Sequence, residues 1–527
     1  MYVMCSSLLY REPYSRIPTF IPLFFIRVEY SRQYLILPMR CSVTQGIYSS
    51  QAELSTIMPK VRRFSTCSIA FKLTSDQSMQ KGFKILAKAA TPSAFYDDSH
   101  QFDVPRCHEN TRVAVLEKID DWVNLIIESA AFIMWLYGAA GAGKSAIART
   151  MAENLHSRRQ LLATFFFSRA DSSRNNIKST IATLVYNITR SVPESYHMIT
   201  ATIEEDPHIF RRPFVHQLEQ LILGPLHQLS QQGIVYPTVI VIDGLDECLN
   251  HDERAILLQA ISTAARQHSV LKFLITSRPE VPITRVFSAT PVVEISIRHS
   301  LDDEPESMEN VKYFLSAKFD EIKRTHPSRH HIPHDWPPSQ VIANLAKRSS
   351  GQFIYPAAII RYLRSPRYSP TLRLDIILKL QPLSGGSPFA QLEALYRHIL
   401  LSCENVELAL RIIGICLLEA QEGDHMHPPQ MTAPKCIEVI LGLHPGDVQR
   451  NLEDLGSLIE YKGDSNNLRV LHASLFDFVS DPTRLIDLPF NLASIYTDVA
   501  IWCSHLMSPR DNSVRRCFTS GESDILY

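Results

Sequence analysis

From Val113 onward, apolar residues recur at Val115, Leu116, Ile119, Trp122, Val123, Ile126 and Ile127, the spacing of a helix with one buried face. The pattern then changes abruptly. Phe132-Ile133-Met134-Trp135-Leu136-Tyr137 is a continuous apolar run ending at Gly138, which predicts a strand buried on both faces. Four more such runs follow at Leu161–Phe167, Thr238–Ile242, Phe273–Thr276 and Val292–Ile295, separated widely enough for helices to lie between them. Strands alternating with helical stretches predict an α/β fold built on a parallel sheet. Beyond residue 300 the spacing turns helical, as in Val311/Phe314/Leu315/Phe319, Ile342/Leu345/Ala346 and Leu392/Leu395/Tyr396/Ile399. A small strand pair is expected around Leu458–Tyr461 and Leu468–Leu471, joined by the loop formers Lys462 to Asn467.

These patterns divide the chain at 1–92, 93–130, 131–300, 301–404, 405–490 and 491–527, with order expected from about residue 93. Residues 1–75 hold nine Lys/Arg against three Glu. That balance suits an organelle-targeting leader, but the segment lacks an amphipathic Arg-spaced helix, so a poorly ordered extension is the expectation. The 527 residues carry 53 Lys/Arg and 54 Asp/Glu, and that balance advertises neither nucleic acid nor an anionic membrane as a partner. No apolar run reaches the length of a membrane span. Ten cysteines without a C-x-x-C pair argue against a zinc ribbon or disulfide scaffold and point to a reducing, cytoplasmic compartment.

The chemistry begins at Gly138-Ala139-Ala140-Gly141-Ala142-Gly143-Lys144-Ser145, which fits the phosphate-binding loop G-x-x-x-x-G-K-[ST] between a predicted strand and a predicted helix. Glycines let backbone N–H groups turn toward phosphate oxygens. Lys144 supplies a point charge between the β- and γ-phosphates. Ser145 offers a hydroxyl to Mg²⁺, and the helix that opens near Ala146 directs its N-terminal dipole at the anion. Val239-Ile240-Val241-Ile242-Asp243 is an apolar strand ending in a carboxylate placed to serve the Mg²⁺ shell. Glu247, in the following Gly244-Leu245-Asp246-Glu247, is placed to polarise an attacking water. Lys272 to Pro279 is another strand ending in polar residues, and parallel strands share their carboxyl ends, so Arg278 would emerge at the same sheet edge to sense the γ-phosphate.

As a set, GAAGAGKS, VIVIDGLDE and KFLITSRP resemble the NACHT branch of the STAND signalling NTPases, especially fungal NACHT proteins with a nephrocystin-3-like N-terminal segment. The resemblance extends upstream to Pro105–Arg112 and downstream to Gly351–Tyr355 and Val470–Phe478. It implies that Thr111 and Arg112 lie beside the adenine. It also implies that 405–490 is a winged-helix-like domain whose His472 reaches the β-phosphate of ADP and locks a closed state. Pro356 departs from the family pattern, where a small residue is expected. WD40, ankyrin or TPR repeats usually follow this region in the family, and none is visible here.

The expected fold is therefore an α/β P-loop NTPase, a parallel sheet flanked by helices, followed by helical and winged-helix-like domains. The expected function is an NLR-like switch, innate-immune or heterokaryon-incompatibility in kind. It would bind ATP or ADP, with GTP not excluded, use Mg²⁺, hydrolyse slowly, and engage protein partners and further copies of itself. Two other readings stay open: a turnover ATPase or phosphotransferase, and a nucleotide-stabilised scaffold without hydrolysis. His330, His331, His334 and Asp335, like Asp424, His425 and His427, lack a ligand framework and are expected to be solvated. Residues 405–490 hold six Lys/Arg against thirteen Asp/Glu, a balance that repels nucleic acid.

Overall fold

A computed structural model describes residues 6–7, 24–25, 81–98, 105–124, 131–268, 270–382, 389–422, 433–462, 467–485, 488 and 492–507. The chain forms two units, Met1–Ile69 and Ala70–Tyr527. In the first, Ser6–Ser7 pairs antiparallel with Phe24–Phe25. Asp424, His425 and His427 lie outside the described residues.

The larger unit is built on five parallel strands: β1 (Ile133–Tyr137), β2 (Leu161–Phe166), β3 (Val239–Asp243), β4 (Lys272–Ser277) and β5 (Ser296–Ser300). Their order across the sheet is β2-β3-β4-β1-β5. Register pairs Tyr137 with Ser277 and Ser300, and Phe166 with Asp243, so the carboxyl ends of all five strands meet at one edge.

Alternate residues on a strand face opposite ways, and here each way meets a different core. Ile133, Trp135, Ile240, Ile242, Phe273 and Ile275 pack with the helices Thr180–Ser191, Tyr196–Glu205, His251–Gln267 and Val281–Ser288. Met134, Leu136, Val239, Val241 and Leu274 pack on the other face, against α1 (Val113–Asn124) and α2 (Lys144–Ser157). Central strands sandwiched in this way have no polar face, which is why they read as unbroken apolar runs.

Two expectations need correction. Val292–Ile295 is not a strand: Val293–Ile295 forms a 3-10 turn, and β5 follows it. None of the β5 residues is buried, with Arg298 exposed and Ile297 at 36% exposure, so no continuous apolar run marks it. Order also begins upstream of residue 93. Residues 81–89 are helical, and Leu86, at 0% exposure, lies in the sheet's own core.

Beyond the sheet the chain is mainly helical, from α3 (Ser307–Thr325) through α4 (Ile354–Leu363) and α5 (Ala390–Leu401) to α6 (Ala473–Val479) and the helix Leu492–Met507. A hairpin of Ile459–Lys462 and Asn467–Val470 precedes α6. One apolar core runs through this region from Val311 to Ile495. Pro356 falls in the first turn of α4, where a missing N–H costs the helix nothing. His330, His331, His334 and Asp335 are exposed around a short turn.

Candidate functional site

The loop from Gly138 to Gly143 joins β1 to α2, so the end of an inner apolar strand and the start of a buried helix hold it from both sides. Gly143 caps the helix at φ +92°, and a Cβ built there would meet nothing within 4 Å. That space, fronted by backbone and the helix N-terminus, suits phosphate oxygens. Gly141 has φ +77° for a different reason. A Cβ there would fall 2.2 Å from Ile354 Cγ2, because the start of α4 is seated on the loop.

Three other elements grip the loop backbone. The N–H groups of Phe353 and Ile354 donate to Gly141 O at 2.9 and 3.3 Å. Arg112 Nη2 donates to Ala142 O at 2.9 Å, and the Ala139 N–H donates to both carboxylate oxygens of Asp302 at 3.0–3.1 Å.

Lys144 is buried, with Nζ donating to Gly138 O at 2.8 Å and Ala139 O at 2.9 Å. Burial lowers its pKa; Asp246, Asp243 and Glu247 oppose that shift, while Arg278 adds to it. A buried ammonium ringed by carboxylates and facing an open cradle fits a polyanion.

Strand parity places the acidic group. Asp243 and Thr276 share the face of Val241 and Leu274, the face that carries α2 and Ser145. Thr276 Oγ1 donates to Asp243 Oδ1 at 2.5 Å and accepts from Gly244 N at 3.0 Å, and the Ser145 hydroxyl also bonds Asp243. Burial raises the Asp243 pKa against both of these hydrogen bonds. The hydroxyl and carboxylate together form an oxygen-only donor set of the kind Mg²⁺ takes. Ser145 and Asp243 would hold that ion, whose charge would offset that of the phosphates.

Asp246 is structural as much as chemical. It accepts Arg278 N at 2.9 Å, pairs with Arg278 Nε at 3.1 Å, and its carbonyl accepts from the buried Arg254 at 2.7 Å. Glu247 lines the cleft and accepts the Arg169 N–H at 3.0 Å. Burial, then the neighbouring Asp246 charge, raise its pKa to about 7.

The cleft has a volume of about 1290 Å³. Of the expected loop residues, Ala140, Gly141, Gly143, Lys144, Ser145 and Ala146 line it, whereas Gly138, Ala139 and Ala142 sit behind and shape it through their backbone groups. Thr111, Arg112, Glu247, Arg278 and His472 line it too. Thr111 Oγ1 donates to His108 O at 2.6 Å, which ties up its hydroxyl locally. Arg112 lies over the Phe353 ring, 5.2 Å from its centroid. His472 Nε2 lies 3.1 Å from Arg361 Nη1. Since a guanidinium only donates, Nε2 accepts and the ring proton sits on Nδ1.

Sequence reasoning missed Arg169, Asp302, Arg361 and Asp477. The rule that found Arg278 applies equally to Arg169, three residues past the end of β2. Asp477 lay inside the Val470–Phe478 motif without a role.

Residues 113–278 match the family profile described as "Nephrocystin 3, N-terminal", under half of the chain. No curated protein compared with the chain matches it. Among solved structures, similarity extends to a Walker-type ATPase of Pyrococcus abyssi, at 13% identity and TM-score 0.36, covering 70% of this chain and 97% of that one. It extends also to the ORC1 protein of Aeropyrum pernix in complex with DNA, at 14% identity and TM-score 0.32, covering 78% and 97%. The ORC2 protein of the same organism, in ADPNP-ADP complexes, shows 13% identity and TM-score 0.33, covering 77% and 97%. A parallel five-stranded sheet in which an inner strand feeds a glycine loop, a buried lysine and a helix is the fold of a P-loop NTPase.

Proposed function

We propose that this chain is a nucleotide-operated switch of the NACHT and STAND class, binding ATP or ADP with Mg²⁺ and hydrolysing slowly. The reading is supported above all by the seating of the helical region on the loop itself, where Gly141 accepts two N–H groups from the start of α4. Such a contact couples the state of the loop to the docking of the helical region. A switch uses that coupling, because occupancy must bias two packed states.

Residues 405–490, with their hairpin and helices, are read as winged-helix-like. His472, beside Arg361, is read as the group that reaches the β-phosphate. Lys144 and the loop amides bind the phosphates, Glu247 orients water, and Arg278 answers to the third phosphate. Opening would expose surface for further copies of the chain or for protein partners, in a reducing, cytoplasmic setting. Among the described residues no helix is long and apolar enough to cross a membrane.

The test is the nucleotide retained by purified protein, read by mass spectrometry beside its oligomeric state and steady-state turnover. Retained ADP, a monomer and slow turnover support the switch, whereas fast turnover favours the ATPase reading. Lys144→Ala should remove ATP and ADP binding, because the phosphates lose their main buried counter-charge. Equal affinity in calorimetry for parent and variant would sink the loop assignment.

A further inference from the structure

Two arginines stand at the carboxyl edge of the sheet, Arg169 past β2 and Arg278 next after β4, and one carboxylate from the C-terminal region spans them. Asp477 Oδ1 accepts Arg169 Nη1 at 3.1 Å, and Oδ2 accepts Arg278 Nη1 at 2.9 Å. All three side chains are largely withdrawn from solvent, at 25, 21 and 27% exposure for Arg169, Arg278 and Asp477. Asp477 is held in place by its own helix. Nearly one turn earlier on α6, the Ser474 hydroxyl lies 3.0 Å from the buried Tyr396 hydroxyl on α5.

Arg278 borders two spaces. One is the cleft that holds the phosphate loop; the other, of about 400 Å³, is lined by Ala140, Tyr396 and Asp477. Its guanidinium is committed on both sides, Nε to Asp246 and Nη1 to Asp477. Arg169 gives Nη1 to Asp477 and Nη2 to the Asp246 carbonyl at 3.4 Å, and its backbone N–H to Glu247.

Lys144, Asp246, Glu247 and Arg278 line one cleft, so a third phosphate there would add negative charge beside Asp246 and Glu247 and would need Arg278, whose guanidinium Asp477 already holds. We propose that Asp477 makes the closed cleft select a nucleoside diphosphate over a triphosphate, because its carboxylate occupies the sites on Arg169 and Arg278 that third-phosphate oxygens require. This rests on the nucleotide-switch reading and adds a specificity-determining residue to it. The same contact links docking of the C-terminal region to Glu247, since Arg169 holds Asp477 by its side chain and Glu247 by its backbone.

The test is calorimetry of MgADP and MgATP on the full chain, comparing the parent with Asp477→Asn, which keeps shape and removes charge. The ratio of the ATP Kd to the ADP Kd should fall about tenfold, mainly through tighter ATP binding, as expected for a charge-assisted hydrogen-bond pair. ADP affinity should stay within about threefold, which also reports that the variant folds. Asp481→Asn is the control. Asp481 lines the same cavity but pairs with Arg484 at 3.0 Å, so its loss should leave the ratio alone. An unchanged ratio in Asp477→Asn overturns the proposal, and so does an equal fall in Asp481→Asn. If the parent binds neither nucleotide, the switch reading itself fails, an outcome distinct from both.

Discussion

Glu247 is a carboxyl group whose environment works against its charge. Burial and the adjacent Asp246 raise its pKa from 4.5 to about 7. The folded state therefore holds a proton there that the unfolded chain releases near pH 4.5. Stability contributed by that proton is present below pH 4.5 and is lost as pH rises through 7. Glu247→Gln carries no such penalty, so its melting temperature should exceed the parent's at pH 8 and approach it near pH 5. The same substitution should leave nucleotide binding nearly intact and reduce hydrolysis, because only the transition state needs the water oriented. Parallel melting curves for the two proteins across that pH range would remove the buried-acid account.

At the scale of elements, the phosphate loop has two glycines with positive φ and two different reasons for them. Gly141→Ala combines left-handed strain with a clash against Ile354, together about 2–4 kcal/mol, and should lower the melting temperature and weaken nucleotide binding. Gly143→Ala meets no neighbour, so it should cost roughly 1 kcal/mol of strain but still block phosphate approach. Thermal melts with and without ADP separate them: Gly143→Ala should melt near the parent and lose the ADP-induced rise. Similar melts for both variants would mean that α4 does not press on the loop.

This seam also marks where sequence reading stopped. Strands β1 to β4 were legible because burial on both faces leaves an apolar run, and the loop lysine because its spacing is tied to backbone geometry. Strand β5 was not legible because none of its residues is buried, whereas β2, the opposite edge, is buried along its whole length and reads as an apolar run. The 81–89 helix was hidden for a related reason, since Leu86 finds its apolar neighbours on distant segments. Asp477 was visible as a letter, but its partners Arg169 and Arg278 lie 308 and 199 residues away in sequence.

Across the whole molecule, the C-terminal region meets the sheet edge at the loop–α4 seam and at Asp477, and it lines the cleft through His472 and Arg361. If His472 steadies the closed form, His472→Ala should release ADP about tenfold faster and self-associate more readily, with ATP-bound protein changing less. An unaltered ADP off-rate, with equal destabilisation in the presence and absence of nucleotide, would make His472 a packing residue.

The sheet also holds a side chain whose use is optical. Trp135 is 1% exposed, stacks on Phe287 at 4.2 Å, and donates its indole N–H to Ser277 Oγ at 2.8 Å. Ser277 is the residue before Arg278. An indole in so dry a setting emits toward the blue, and its emission energy follows the local field and the strength of that hydrogen bond. Any rearrangement of Arg278 on meeting a phosphate changes both, so the protein carries its own fluorescent reporter one residue from the arginine at issue.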